Sequence, residues 1–449
     1  MSKQRIQLSD HFTYPRLLRF VLPCIGTMLF TSIYGIVDGL CVSNFVGKTA
    51  FAAVNLIMPL PMLLGTIGFM LGTGGSAIVG ITLGEGDQKK ADRYFTLFLL
   101  AALVSVSVLA VLGIVFLRPI AVLLGAKGEL LDYAVRYGRI LMVSLPTFAL
   151  QNMFQSFFVT AEKPHLGFYF TVGAGCTNMV LDVLMVGIWG WGVEGAAIAT
   201  FISQLVGGVL PVFYFIDRSN SSRLHLCKTS FYSKVLRDAC INGSSELMTN
   251  LSMSLVNILY NYQLLRLAGE NGVAAYGVIM YAAFLFVAVF VGYAVGSAPI
   301  VSFHYGARNH AEVHNLYRKS LRLIAVVAVT LTLASMFIIP CVARIFVGYD
   351  AELLALTSRA FRLYALSFLI MGFNVYASSF FTALGDGVTS ALISFLRTLA
   401  FQVIAILLLP MLLGIDGIWL AITAAELAAL AVSVTMFITK DKVFHYRKA

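Results

Sequence analysis

The chain has 449 residues, of which 59% are hydrophobic and 12% charged, with a formal net charge of +10 and a mean hydropathy of +0.88. A soluble domain carries about 25% charged residues, so this balance excludes an ordinary soluble protein. Twelve spans of roughly 20 apolar residues each, the length that a bilayer core about 30 Å thick requires, would use most of the chain and leave no sizeable soluble domain.

The opening stretch MSKQRIQLSDHFTYPRLLRF is polar and basic, with no small-residue cleavage site after a short apolar region, so no removable signal is expected. Hydrophobic runs of spanning length follow at about 17–42, 50–80, 95–117, 131–159, 166–190 and 193–216. A hydrophilic connection from Asp217 to Lys234 interrupts the series. Six further runs lie at about 238–266, 273–303, 320–342, 356–383, 388–412 and 415–439. Twelve spans place both termini on one side of the membrane. With the N-terminus inside, the cytoplasmic connections hold most of the Lys and Arg residues, as positively charged loops retained in the cytoplasm should.

The basic residues thus read as topology signals between apolar runs and not as a nucleic-acid-binding face. The expected organisation is a cytoplasmic segment 1–16, an N-lobe 17–216, a cytoplasmic linker 217–237, a C-lobe 238–439 and a cytoplasmic tail 440–449. The expected location is the inner (cytoplasmic) membrane. Cys24, Cys41, Cys176, Cys227, Cys240 and Cys341 form no CxxC pair, which argues against a disulfide framework or a zinc site. The seven histidines fall at or beyond span ends, so no intramembrane His relay or metalloenzyme centre is expected. No cofactor and no enzymatic activity are foreseen.

The two groups of six spans are copies of each other. A shift of 222 residues lays Gly47 on Gly269, Ala52-Ala53 on Ala274-Ala275, Gly74 on Gly296, Gly84 on Gly306 and Gly192-Val-Glu-Gly195 on Gly414-Ile-Asp-Gly417. A shift of 223 lays Glu129-Leu-Leu131, Arg136, Arg139 and Phe157-Phe158 on Glu352-Leu-Leu354, Arg359, Arg362 and Phe380-Phe381. An even number of spans per copy keeps both halves in the same orientation, so a pseudo-two-fold along the membrane normal should relate them, as in transporters built from parallel repeats. One chain then encloses a complete pathway, and a functional monomer is expected.

Acidic residues within spans are the informative ones, because a charge at membrane depth costs several kcal/mol and persists where it works or is paired. Asp38 lies about 21 residues into the first span and Asp182 about 16 into the fifth, so at roughly 1.5 Å per residue both reach the outer half of the membrane. Asn178 shares the helix face of Asp182, and Thr200 on the sixth span reaches a similar depth from the other direction. Two carboxylates in a low-dielectric pocket cannot both ionise cheaply, so these oxygens suit a proton or a sodium ion; a structural polar knot between helices is the alternative. Pro23, 15 residues before Asp38, removes a helix hydrogen bond and kinks the first span, either statically or as a hinge.

Glu246, near the inner end of the seventh span, reads either as a solvated helix start or as a secondary acidic site. Glu426, deeper in the twelfth, is open to pairing with Arg397 or to facing a cavity. Tyr34, Met62, Asn152, Met153, Phe154, Phe157, Tyr281, Phe284, Tyr376 and Phe380 are candidates for a polarizable surface that binds varied amphipathic cations, although Met and aromatic residues at such positions are more often core or lipid-facing.

These residues together resemble the multidrug and toxic compound extrusion (MATE) family of the MOP superfamily, in its DinF/MepA-like branch. The features that carry the resemblance are Val37-Asp38-Gly39 in the first span, Gly84-Glu-Gly-Asp87 with its repeat counterpart Tyr305-Gly-Ala-Arg-Asn309, Asn178-xxx-Asp182, and the paired turns before spans six and twelve. The resemblance implies an all-α integral membrane protein of twelve transmembrane helices in two six-helix lobes. It also implies efflux of small organic cations or drugs in antiport with H+ or Na+, a cation site at Asp38, Asn178, Asp182 and Thr200, and a first helix that bends at Pro23. The NorM-like branch places acids in the middle of spans seven and ten, and span ten here, NVYASSFFTAL, has none. A flippase for a lipid-linked precursor is the alternative of the same architecture, but no Arg cluster lies inside the N-lobe spans to meet a pyrophosphate.

Overall fold

The computed structural model describes residues 6–46, 48–348 and 350–446. Among them only helices form, as an apolar chain requires: a bilayer offers backbone amides no partner, and a helix satisfies them internally. The N-lobe spans are Tyr14–Phe45; Lys48–Ile57 with Pro59–Gly84; Gln88–Leu123; Glu129–Thr160; Pro164–Asp182 with a π-helical turn Val183–Ile188; and Gly192–Gly208 with Leu210–Ile216. A short helix Ser233–Asn242 ends the linker. The C-lobe spans seven and eight share Ser244–Gly306, broken at Gly269, and His310–Val347 is span nine. Span ten is Ala351–Ala365 with Phe368–Ala383, bent by 46°. Gly387–Phe395, a π-helical turn Leu396–Ala400 and Phe401–Leu413 make span eleven, and Ile415–Thr439 span twelve.

Nine of the described helices are long and apolar enough to cross a bilayer, or ten with the bent pair. The 63-residue Ser244–Gly306 is twice the length of one crossing and counts as two. Glu129–Thr160 carries Asp132, Arg136 and Arg139 in its first turns, which lowers its hydropathy without shortening it, and it completes the twelve.

Repeat-related positions adopt the same backbone. Gly192 and Gly414 have φ of 58° and 59°, a region that admits glycine at no steric cost. Asp87 and Asn309 cap spans three and nine, their side chains accepting from the Lys90 and Glu312 amides, so each half starts its third helix with the same device.

The lobes meet at the face that carries both termini. There the second span lies against the linker helix, the start of span seven and the end of span eight with almost no side chain between: a Cβ at Gly74 would overlap the Ala239 carbonyl oxygen, one at Gly243 that of Met70, one at Gly84 that of Phe303 and one at Gly306 that of Ile81. Asn242 pins three elements, its amide donating to the carbonyls of Gly74 and Thr382. The first span packs Val21, Cys24 and Ile25 on Gly292 and Gly296 of the eighth.

The N-terminal segment straps this face. The Leu8 amide donates to Glu162 of the N-lobe at 2.9 Å, and the Phe12 amide to Glu312 of the C-lobe at 2.9 Å; both side chains are fully buried. Glu162 also pairs with Arg223 of the linker at 2.5 Å. Far from the termini, by contrast, Ala53, Ile57, Leu117, Tyr137, Val193 and Ala197 form a core belonging to the N-lobe alone. The lobes are thus joined at the terminal face.

Candidate functional site

Spans one and five run parallel, and small residues set their approach. A Cβ at Gly26 would stand 3.0 Å from the Phe168 ring; one turn and more further on, the rings of Phe30 and Tyr34 fill the space where a Cβ of Gly175 would be. The same register, carried one turn beyond Tyr34, brings Asp38 beside Asp182, and the two carboxyls interact directly. Asp182 is fully buried, and Asn178, one turn before it, is 2% exposed. Asp182 is also the last α-helical residue before the π-helical turn, a local widening that recurs at functional sites.

The hydrogen bonds around the pair are incomplete. No donor reaches Asp38 Oδ1 or either oxygen of Asp182, and Asn178 Nδ2 has no acceptor among the described residues. Buried polar atoms are nearly always paired, and two adjacent carboxylates have no donor to offer each other. A proton on one of them, or a cation between them, supplies what the site lacks. Thr200 Oγ1 bonds back to the Ala196 carbonyl at 3.0 Å, which leaves its lone pairs as the only contribution it can make. Upstream, Pro23 is buried within the first span, and Thr27 Oγ1 donates to its carbonyl at 2.9 Å.

Tyr137 of span four was not singled out by the sequence. It is 1% exposed, its hydroxyl donates to Met58 Sδ at 3.9 Å, and it lies within the field of both Asp38 and Asp182. A tyrosine in an apolar run carries no signal of this kind. Gln204 on span six and Asn152 on span four each leave one buried amide atom without a partner among the described residues.

The C-lobe acid has a different setting. Glu426 is fully buried and its Oε1 accepts from Arg397 Nε at 2.8 Å, while Oε2 accepts from Asn374 Nδ2 at 2.7 Å. Ser433 Oγ donates to Asn374 Oδ1 at 2.8 Å. In this conformation the acid is paired with Arg397, one of the two settings left open by the sequence. A buried pair is costly to break from one side, so Arg397→Met should lower stability by about 3–5 kcal/mol, whereas Arg397→Met with Glu426→Gln should recover most of it; thermal unfolding of the purified protein in detergent compares them. Glu246 is half-buried in the first turn of Ser244–Gly306, with no ion pair among the described residues.

The aromatic and Met candidates divide. Phe154 stacks on Phe215 at 5.5 Å and Phe157 packs on Phe95 at 4.8 Å; Met153 is fully buried beside them. Tyr376 and Phe380 pack with Tyr293, Phe437 and Tyr446. In this conformation these five, and Asn152 at 5% exposure, are enclosed, Phe154 by Phe215 at the end of span six and Phe380 by Tyr446 of the tail. Met62, Tyr281 and Phe284 are exposed, and Tyr34 packs on the fifth span beside Phe30.

The family model MatE matches residues 23–184 and again 247–408, one copy on each lobe. The chain belongs to this family. Among curated relatives it is 21% identical to the multidrug export protein MepA of Staphylococcus saprophyticus, covering 95% of this chain and 94% of that one. It is also 21% identical to MepA of Staphylococcus aureus, covering 96% and 95%. Among solved structures, a crystal structure of MATE in complex with MaL6 superposes with a TM-score of 0.92 at 22% identity, covering 99% of this chain and all of that one. An outward-facing conformation of a multidrug resistance MATE family transporter of the MOP superfamily gives the same score and identity, covering 99% of each. The protein is therefore a MepA-like member of a family of multi-pass membrane transporters with twelve helices in two six-helix lobes.

Proposed function

We propose that the protein exports amphipathic, mostly cationic organic compounds across the cytoplasmic membrane in antiport with protons or sodium ions. The observation that carries this reading is the adjacent Asp38–Asp182 pair, three of whose four oxygens are buried and without a donor among the described residues. Such a pair is stable when a cation or proton neutralises it. Asn178, one turn before Asp182, offers a further oxygen suited to a hard cation, Thr200 is assigned as the hydroxyl ligand, and Pro23, which removes a helix hydrogen bond, gives the helix carrying Asp38 a place to bend when that charge changes. The basic connections argue that the terminal face lies in the cytoplasm, so the apposed lobes there would form the inner closure. No resident cofactor takes part; the coupling ion is cargo.

The energetics suffice. One charge crossing 100 mV supplies about 2.3 kcal/mol and one pH unit about 1.4 more, while each tenfold substrate gradient costs about 1.4. One proton therefore sustains a gradient of a few hundredfold for a neutral compound, and a cationic substrate draws on more than one ion or on the pH term.

The test is uptake of a fluorescent organic cation into inverted membrane vesicles under separately imposed proton and sodium gradients, for the wild type and Asp38→Asn. Accumulation driven by one gradient and lost in the variant is the expected result and names the ion. Absence of accumulation under both gradients would overturn the reading in favour of the lipid-precursor flippase.

A further inference from the structure

Between the first and fifth spans, at the terminal face, lies a groove of about 510 Å³, a volume within the range of about 300–1,000 Å³ typical of small-molecule sites. It does not face the other lobe. The first span turns Val21, Cys24 and Ile25 toward span eight, while Leu18, Leu22 and Pro23 line the groove with Phe168 of span five. Leu22 is 56% and Tyr169 63% exposed, so the groove opens sideways into the bilayer.

Its residues are ordered along the membrane normal. Arg19 in the second turn of span one and His165 in the first turn of span five stand at the terminal end; the apolar lining lies deeper. Neither basic side chain has an ion pair or hydrogen bond among the described residues, and no acid lines the groove. The nearby Arg16 is engaged by Asp10 and the His11 carbonyl. A basic rim above an apolar slot between transmembrane helices complements one ligand class, a phosphate-bearing headgroup with acyl chains.

We propose that this groove binds an anionic phospholipid, its phosphate held at Arg19 and His165 and an acyl chain lying on Leu18, Leu22 and Phe168. Pro23 and Gly26 form part of the wall, so bending of the first span there reshapes the groove. A bound lipid thus favours the first-span conformation whose groove it fits, because a ligand shifts an equilibrium by its differential affinity for the two states.

The test needs neither drug nor ion gradient, so its failure and failure of the efflux reading are separable. Tyr169→Trp places a fluorophore on the groove rim, and the difference between this variant and its parent isolates the reporter from Trp189, Trp191 and Trp419. In vesicles with brominated phosphatidylglycerol or brominated phosphatidylcholine, quenching gives the relative affinity at this position. A basic residue near the membrane surface is worth about 1 kcal/mol toward anionic lipid, so about a fivefold preference for the phosphatidylglycerol is expected. Adding Arg19→Ala and His165→Ala should bring the ratio to about one, and Arg19→Lys alone should retain it. Equal quenching by the two lipids in the otherwise native groove, or a preference that survives loss of both basic residues, would overturn the proposal.

Discussion

Asp182→Asn and Asp38→Asn should each lower ion-driven efflux by about 100-fold or more, equivalent to about 2.7 kcal/mol, while leaving the protein folded. The two effects have opposite causes. Coupling requires a site that takes up a charge on one side and releases it on the other, and an amide cannot follow. Stability, by contrast, is limited by holding two acids together where, among the described residues, no donor reaches three of the four oxygens. Asparagine has nearly the same volume, removes one charge from that pocket and brings a donor to its neighbour. The variants should therefore unfold at the same temperature as the wild type or a higher one.

Binding of the coupling ion adds a further contrast. A ligand that binds only the folded state stabilises it by mass action, so acidification or added sodium should raise the unfolding temperature of the wild type and leave that of Asp182→Asn almost unchanged. The ion that produces the shift should be the one whose gradient drives uptake in vesicles. Efflux unchanged in both variants would sink the paired-acid site, even with the family membership intact.

How much of this was legible in the sequence depends on how far each feature reaches. The repeat was visible because turn chemistry is local: Gly192 and Gly414 occupy the same left-handed backbone position, and Asp87 and Asn309 cap equivalent helices. The depth of Asp38 and Asp182 followed from counting along a helix. Their meeting depended on the register of spans one and five, set by Gly26 and Gly175 against rings of the partner helix, which no single span reveals. Glu426 and Arg397 were both conspicuous, but the π-helical turn Leu396–Ala400 changes the angular phase of span eleven, so a 3.6-residue period could not settle whether they face each other.

Which of the aromatics are enclosed depends on segments distant in the chain. Phe154 and Phe157 sit in a span and look available to a central cavity, yet their neighbour Phe215 comes from the end of span six. Tyr446, which covers Phe380, comes from the tail. The strap is a similar case: HFTY looks like a polar leader, and its buried Phe12 becomes apparent only when Glu312, 300 residues away, accepts from its amide.

The inter-lobe glycines give the second large expectation. Gly243→Ala and Gly306→Ala should shift the protein toward the state open at the terminal face, because the added Cβ would overlap the backbone oxygens of Met70 and Ile81. Those atoms are main chain and have no rotamer by which to yield, so the helices must separate. Overpacking of this kind costs about 1–3 kcal/mol, and since the clash exists only while the lobes are apposed, the whole cost falls on the closed state. An equilibrium moved by that amount changes about 5- to 150-fold.

Cys24 is a native reporter of the change. It is 5% exposed and lies against Gly296 at the seam, so separation of the lobes uncovers it. In a protein keeping Cys24 as its only thiol, alkylation by a water-soluble maleimide should accelerate about 5- to 150-fold in either variant, in proportion to the open population. Gly277→Ala is the control, since a Cβ there meets open space and should change nothing. Efflux should fall in the two seam variants because the cycle needs both closures, and the fall should track the alkylation rate. Unaltered Cys24 reactivity in both seam variants would mean that the contacts between span two and spans seven and eight do not govern the exchange between states.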